Sequence, residues 1–107
     1  MADNPRYALY QAEYEIVCAN KATEERSETV TVAGKCCESG DLIQENTSLQ
    51  SVEAGDILAV LSTGAYNYSM ASNYNRIPRP PVVMINSGDA RIVVKRESYE
   101  QVCENDI

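Results

Sequence analysis

The segment Glu28-Thr29-Val30-Thr31-Val32-Ala33 alternates polar and apolar positions and is rich in β-branched side chains. A period of two built from side chains stiff at χ1 predicts a β-strand that Gly34 ends. Tyr14 to Ala19, rich in Ile, Val and Tyr, predicts another. Behind the turn Glu53-Ala54-Gly55-Asp56, the continuous apolar run Ile57 to Leu61 predicts a fully buried strand. Asp41 to Gln44 supports only a short one. Val82 to Ile85 and Ala90 to Lys95, joined by Asn86-Ser87-Gly88-Asp89, predict a β-hairpin. Arg76-Ile77-Pro78-Arg79-Pro80-Pro81 cannot form a central strand, because proline brings no ladder donor. Lys21 to Ser27 is charged and aperiodic, a surface loop. After the turn formers Asp3-Asn4-Pro5, one helical turn would place Arg6 and Tyr10, four apart, on a common face. The capping box Ser98-x-x-Gln101 opens a short helix from Tyr99 to about Asn105. Five or six short strands in one domain over 1–107, without repeats, predict a mainly β sandwich or small barrel with a short C-terminal helix.

Composition narrows the chemistry. The chain has 107 residues, no Trp and no Phe, so seven tyrosines carry its aromatic content. Tyr68 and Tyr74 read as stand-ins for the absent Phe in packing. Net charge is −7, which argues against nucleic-acid binding through phosphate. No apolar run approaches the roughly 20 residues that span a bilayer, and Met1 to Tyr10 lacks the apolar stretch of a secretory signal. The expectation is a cytoplasmic protein with no membrane and no nucleic acid among its partners. Four cysteines without C-x-x-C spacing, in a chain without His, point neither to a disulfide framework nor to a zinc site. The absence of His also excludes a Ser-His or Cys-His couple within the chain.

Two loops crowd polar and reactive groups together. In Gly34-Lys35-Cys36-Cys37-Glu38-Ser39-Gly40-Asp41 a thiol stands beside a carboxylate. Cys37 has the chemistry to pass a proton and Glu38 to bind an ammonium group. Read alone, a cysteine is more often a small hydrophobe, but the flanking glycines allow unusual backbone paths near a ligand. The second loop, Ser62 to Asn75, leaves the end of the Ile57–Leu61 run. Its Tyr66 follows a tight Thr63-Gly64 exit, where a phenol can face a phosphate or carboxylate. Arg6 with Tyr10 makes a third candidate, a guanidinium and a phenol able to clamp a carboxylate. Arg76 and Arg79, in a proline-rich setting, read as structural. Lys21, Lys35 and Lys95 read as solvated, since none lies in an apolar stretch that would lower its pKa.

Taken together these residues resemble the C-terminal domain of diaminopimelate decarboxylase, a pyridoxal-phosphate enzyme of the alanine racemase-like fold type. Asp3-Asn4-Pro5-Arg6 through Leu9-Tyr10 resembles that family's N-x-R-P-x-L-Y region, with Tyr7 in place of its Pro. Gly34 to Asp41 resembles its G-x-x-C-E-S-G-D motif, and Gly64 to Asn75 its G-A-Y-x-x-S-M-x-S-N-Y-N motif. Arg79-Pro80 and Arg96-Glu97-Ser98-Tyr99 also fit. The resemblance implies a Greek-key β-barrel or sandwich of the alanine racemase C-terminal type. It implies decarboxylation of meso-2,6-diaminopimelate to L-lysine and carbon dioxide, the last step of lysine biosynthesis. Arg6 and Tyr10 would hold the distal carboxylate of this small amino-acid substrate and Glu38 its distal ammonium. Cys37 would reach the cofactor from the partner subunit as a proton donor, and Tyr66 would touch both cofactor and substrate. A homodimer with shared active sites follows, as does a TIM barrel that carries the Schiff-base lysine and is absent from these 107 residues. The expectation is that the chain is a fragment or one product of a split gene, inactive alone. Two alternatives stand beside this reading: a related decarboxylase of ornithine, arginine or carboxynorspermidine, or a non-catalytic β-domain that binds or assembles.

Overall fold

The computed structural model describes residues 6–38 and 40–107, so the expectations that fall on Asp3, Asn4, Pro5 and Ser39 lie outside the described residues. In chain order its elements are α1 (Arg6–Tyr10), β1 (Ile16–Cys18), β2 (Glu28–Ala33), β3 (Leu42–Leu49), β4 (Leu58–Val60), α2 (Asn67–Met70), β5 (Val82–Asn86), β6 (Asp89–Val94) and α3 (Tyr99–Val102). The strands pair antiparallel as β1 with β4, β2 with β3, and β5 with β6. The mainly β expectation holds. The described residues do not close into one barrel, because each ladder stops at two strands.

Strand β1 is shorter than the predicted Tyr14–Ala19, yet its pairing with β4 runs past both strand ends. The Ala19 amide donates to the Ile57 carbonyl at 2.7 Å and the Leu61 amide to the Glu15 carbonyl at 2.9 Å. The β2 bounds match the alternating run, with Val30 and Val32 turned toward the interior. Strand β3 is twice the length that Asp41 to Gln44 predicted. Its continuation, Glu45-Asn46-Thr47-Ser48, is polar, and the strand carries two β-bulges, one at Ile43 and one within this continuation. In one of them Glu45 and Asn46 lie opposite Thr31 alone, and Asn46 takes φ 51°, a left-handed conformation that Asn tolerates. Ser87 and Gly88 both have positive φ, the requirement of a two-residue type I′ turn between β5 and β6. The capping box forms: the Gln101 amide donates to Ser98 Oγ at 3.2 Å, and the Ser98 amide to Gln101 Oε1 at 2.8 Å. The helix it opens ends at Val102 instead of about Asn105.

The core is small. Tyr14, Ile16 and Leu49 are buried together, with Ala12, Val30, Val32, Ile43, Val52 and Val60 packed around them. Buried Gln50 serves beneath them as a connector, accepting the Cys18 amide at 3.0 Å. The β4 run is not fully buried as expected. Ile57 is 66% exposed and Leu58 and Leu61 are exposed as well, because β4 is an edge strand paired only with β1. Tyr68 and Tyr74 are exposed too, and Tyr14 is the ring that fills the core. Lys21 is not solvated. Its ammonium donates to Asp56 at 2.7 Å and to the Ser51 carbonyl at 3.1 Å, pinning the loop after β1 to the turn before β4. The radius of gyration, 15.4 Å, exceeds the ~13 Å typical of a compact domain of this length.

Candidate active site

The thiol loop is the tip of the β2–β3 hairpin. The Gly34 amide donates to the Asp41 carbonyl at 2.9 Å, one step beyond the Ala33–Leu42 pair. Asp41 is buried, and its Oδ2 accepts the Cys36 amide at 2.5 Å, folding the tip back over its own base. The Glu38 amide donates to the Cys36 carbonyl at 2.9 Å. That i to i+2 bond is a γ-turn with Cys37 at its apex, and it leaves the Cys37 thiol exposed while Cys36 is half-buried. Gly34 is required here for space, not for backbone freedom. A Cβ on it would stand 2.3 Å from Asp41 Oδ1, whereas its φ is not in the left-handed region. Gly40 has an ordinary fit: Ala8 of α1 and the Glu38 carboxylate lie 3.5 and 3.6 Å from where its Cβ would sit. Glu38 therefore faces the side of the loop against which α1 lies.

Helix α1 realises the spacing read from the sequence. Arg6 Nε donates to the Tyr10 hydroxyl at 2.5 Å, one turn along. The guanidinium then lies over three aromatic rings, 5.6 Å from the centres of Tyr10 and Tyr14 and 5.4 Å from that of Tyr66. Ring faces attract a cation without neutralising it. Among the described residues no carboxylate forms an ion pair with Arg6, in contrast to Arg26, Arg76 and Arg79. The Tyr10 hydroxyl holds the Arg6 guanidinium further above its ordinary pKa. The result is a fixed, charged fork able to take an incoming anion in bidentate fashion.

Tyr66 arrives from the Ser62–Asn75 loop. It precedes α2, a single turn not foreseen in that loop, and its carbonyl accepts the Met70 amide at 2.8 Å and Ser69 Oγ at 2.9 Å. Its φ of 74° is rare for a bulky residue and costs on the order of 1–3 kcal/mol. That conformation turns the ring onto Arg6 while leaving Tyr66 64% exposed. The structure thus brings Arg6, Tyr10 and Tyr66 into one cluster. Glu38 lies beside α1, and Cys37 sits at the loop apex outside the aromatic cluster. Two participants escaped the sequence reading. Tyr14, one helical turn beyond Tyr10 in spacing, was taken only as a strand residue. Glu45 receives a hydrogen bond from the Tyr7 hydroxyl at 2.5 Å, a pairing across the fold that no local pattern announces.

The remaining arginine candidates, Arg76 and Arg79, are both engaged by carboxylates. Arg79 holds Glu97 through its backbone amide and its Nη2, both at 2.9 Å, and Asn73 Nδ2 donates to the same carboxylate. Arg76 pairs with Asp106 and donates to Cys103 Sγ at 3.4 Å.

Residues 1–64 match the family model for the pyridoxal-dependent decarboxylase C-terminal sheet domain. The chain belongs to that family. Diaminopimelate decarboxylase of Bacillus subtilis is 56% identical over all 107 residues, which make up 24% of that protein. The Synechocystis diaminopimelate decarboxylase is 50% identical over 106 residues and 23% of its length. A crystal structure of diaminopimelate decarboxylase from M. jannaschii in complex with L-lysine superposes with a TM-score of 0.87 at 36% identity, over the whole chain and 24% of that enzyme. This sheet-domain chain spans about a quarter of the length of the curated relatives it matches. Among its described residues no helix is long and apolar enough to cross a membrane.

Proposed function

We propose that this sheet domain forms part of a cytoplasmic meso-2,6-diaminopimelate decarboxylase and supplies half of its substrate site. The observation that carries the reading is the Arg6 guanidinium, caged by Tyr10, Tyr14 and Tyr66 with no carboxylate against it among the described residues. A site for the distal end of diaminopimelate needs a cation for the carboxylate and an anion for the ammonium. Arg6 with Tyr10 serves the first need and Glu38 the second. In the reading taken over from the sequence, Cys37 returns a proton after carbon dioxide leaves, and Tyr66 bridges substrate and cofactor. The three ladders then belong to a Greek-key barrel or sandwich of the alanine racemase type. The return of β1 to pair with β4 around the β2–β3 hairpin is the kind of long connection such topologies use.

Pyridoxal phosphate, when bound, supplies the electron sink that no side chain offers. The residues present fit a group that touches this cofactor, not one that anchors it. Lys21 is committed to Asp56, and Lys35 and Lys95 are exposed, so none is set in an apolar pocket that would yield a neutral amine. The exposed Tyr66 phenol and the Cys37 thiol are the groups able to meet it. In this proposal a TIM barrel in the rest of the enzyme holds the cofactor, and two subunits share each site.

The test is a chimera in which these 107 residues replace the corresponding C-terminal quarter of the Bacillus subtilis relative. With pyridoxal phosphate added, carbon dioxide release is expected from meso-diaminopimelate and not from ornithine, which lacks a distal carboxylate. Loss of release in Cys37→Ala and Glu38→Ala is expected with it. A folded, cofactor-loaded chimera that prefers ornithine overturns the substrate. One that turns over neither leaves a binding or assembly module as the better account.

A further inference from the structure

Helix α1 is five residues long, a single turn, and an isolated turn does not persist in water. Something outside it must hold Arg6 over its three rings. The Arg6–Tyr10 hydrogen bond is internal to the turn and fixes nothing relative to the sheet. Among the described residues, one contact that does so is made by the neighbouring residue. Tyr7 lies on another face of the turn, and its hydroxyl donates to Glu45 Oε2 at 2.5 Å, within the short range of O–H···O⁻ bonds. Its carbonyl accepts the Gln11 amide at 2.8 Å, closing the C-terminal end of the turn. Glu45 is itself aimed by the fold. It shares the β3 bulge with Asn46, where two residues stand opposite Thr31, and a bulge redirects the side chains it carries. Tyr7 is also the position at which this sequence departs from the family pattern, whose Pro has no hydroxyl to give.

We propose that Tyr7 and Glu45 are positioning residues for the Arg6 clamp: their hydrogen bond moors α1 to the β3 bulge and so sets the guanidinium among Tyr10, Tyr14 and Tyr66. Neither touches substrate. Its consequence for substrate affinity rests on the reading of Arg6 as the carboxylate clamp, whereas the mooring does not.

Two measurements separate these levels. In the 107-residue chain, the three rings shift the Arg6 side-chain NMR signals to high field. Tyr7→Phe and Glu45→Gln each move them toward random-coil positions while the Ile16 methyl signals stay in place, and the double variant does no more than either single. In the chimera, the same variants raise KM for diaminopimelate about tenfold with kcat within twofold, because a clamp displaced by a fraction of an ångström binds less well. Unmoved Arg6 signals in Tyr7→Phe overturn the proposal whatever the kinetics. Shifted signals with an unchanged KM overturn the link to substrate affinity. If the unmutated chimera has no diaminopimelate activity, the functional reading fails, and the NMR comparison still decides the mooring.

Discussion

Arg6 differs from Arg26, Arg76 and Arg79 in what surrounds its charge. Those three meet carboxylates, and Arg6 meets ring faces and a phenol. A cation–π contact is worth roughly 0.5–2 kcal/mol and leaves the charge available, so the cage stores an unbalanced positive site. Arg6→Gln in the chimera should therefore raise KM for diaminopimelate about a hundredfold, the loss expected for one partner of a desolvated charge pair, with a smaller effect on kcat. Residual ornithine turnover, if measurable, should not change, since ornithine brings no anion to this site. Equal loss on both substrates would place Arg6 in folding instead. The Arg6–Tyr10 half of the cage was legible because helical spacing alone puts residues four apart on one face. The Tyr14 and Tyr66 walls were not. They come from the approach to β1 and from a distant loop, and the positive φ of Tyr66 has no signature in a residue of that type. Gly34 was noticed for the wrong reason. Its missing Cβ makes room for the Asp41 carboxylate, a tertiary fact, while its backbone angles are ordinary.

The same contact gives a prediction at the level of the hairpin. Gly34→Ala would drive a methyl group into a buried carboxylate that also anchors the Cys36 amide. The hairpin tip must open or Asp41 must abandon its bond, a cost of about 1–3 kcal/mol of the kind overpacking brings. Thermal unfolding should show a lowered midpoint, and accessibility of Cys37 to a thiol reagent should rise. A midpoint equal to the parent's would mean that the tip rearranges freely. Other elements are tied by ion pairs that respond to pH. Lys21, through its hydrogen bond, and then Asn20 hold the Asp56 carboxyl down at about 2, from an ordinary 3.8. The Arg79 side chain, then its amide and Asn73, hold Glu97 at about 2, from 4.5. Both folded values are depressed, so this stabilisation is complete above about pH 4.5 and is lost as pH falls toward 2. Melting temperatures taken from pH 6 down to 2 should fall across that window, and Asp56→Asn should lower the pH 6 value and flatten part of the slope. An unchanged slope in that variant would remove Asp56 from the account. Strand β2 was readable from alternation, and the β5–β6 hairpin from Ser87-Gly88. The second half of β3 was hidden, because a bulged strand breaks the period of two and Asn46 is a poor strand former.

At the scale of the molecule, the balance between core and surface is the governing feature. Among the described residues the buried hydrophobic ones are Tyr14, Ile16, Cys18 and Leu49, all supplied by β1, its approach and β3. The β5–β6 hairpin contributes nothing to that cluster, and Ile85 and Ile92 stand 76% and 65% exposed beside Val83, Met84 and Val93. The apolar runs and the turn between them predicted the hairpin but not its lack of a covering layer, because sequence pattern reports which residues are apolar and not what meets them. A two-stranded ribbon with apolar groups in water is at the limit of independent stability, and a patch of this kind drives association. The 107-residue chain alone should bind an environment-sensitive hydrophobic dye and show concentration-dependent association in sedimentation. Replacing Ile85 and Ile92 by Thr should reduce both effects while leaving the melting temperature nearly unchanged, since neither side chain belongs to the core. In the chimera the dye signal should fall, because under the proposed function the rest of the enzyme offers this surface a partner. A monodisperse monomer without dye response would show that the hairpin is content in water, and the small core around Ile16 would then have to sustain the whole fold.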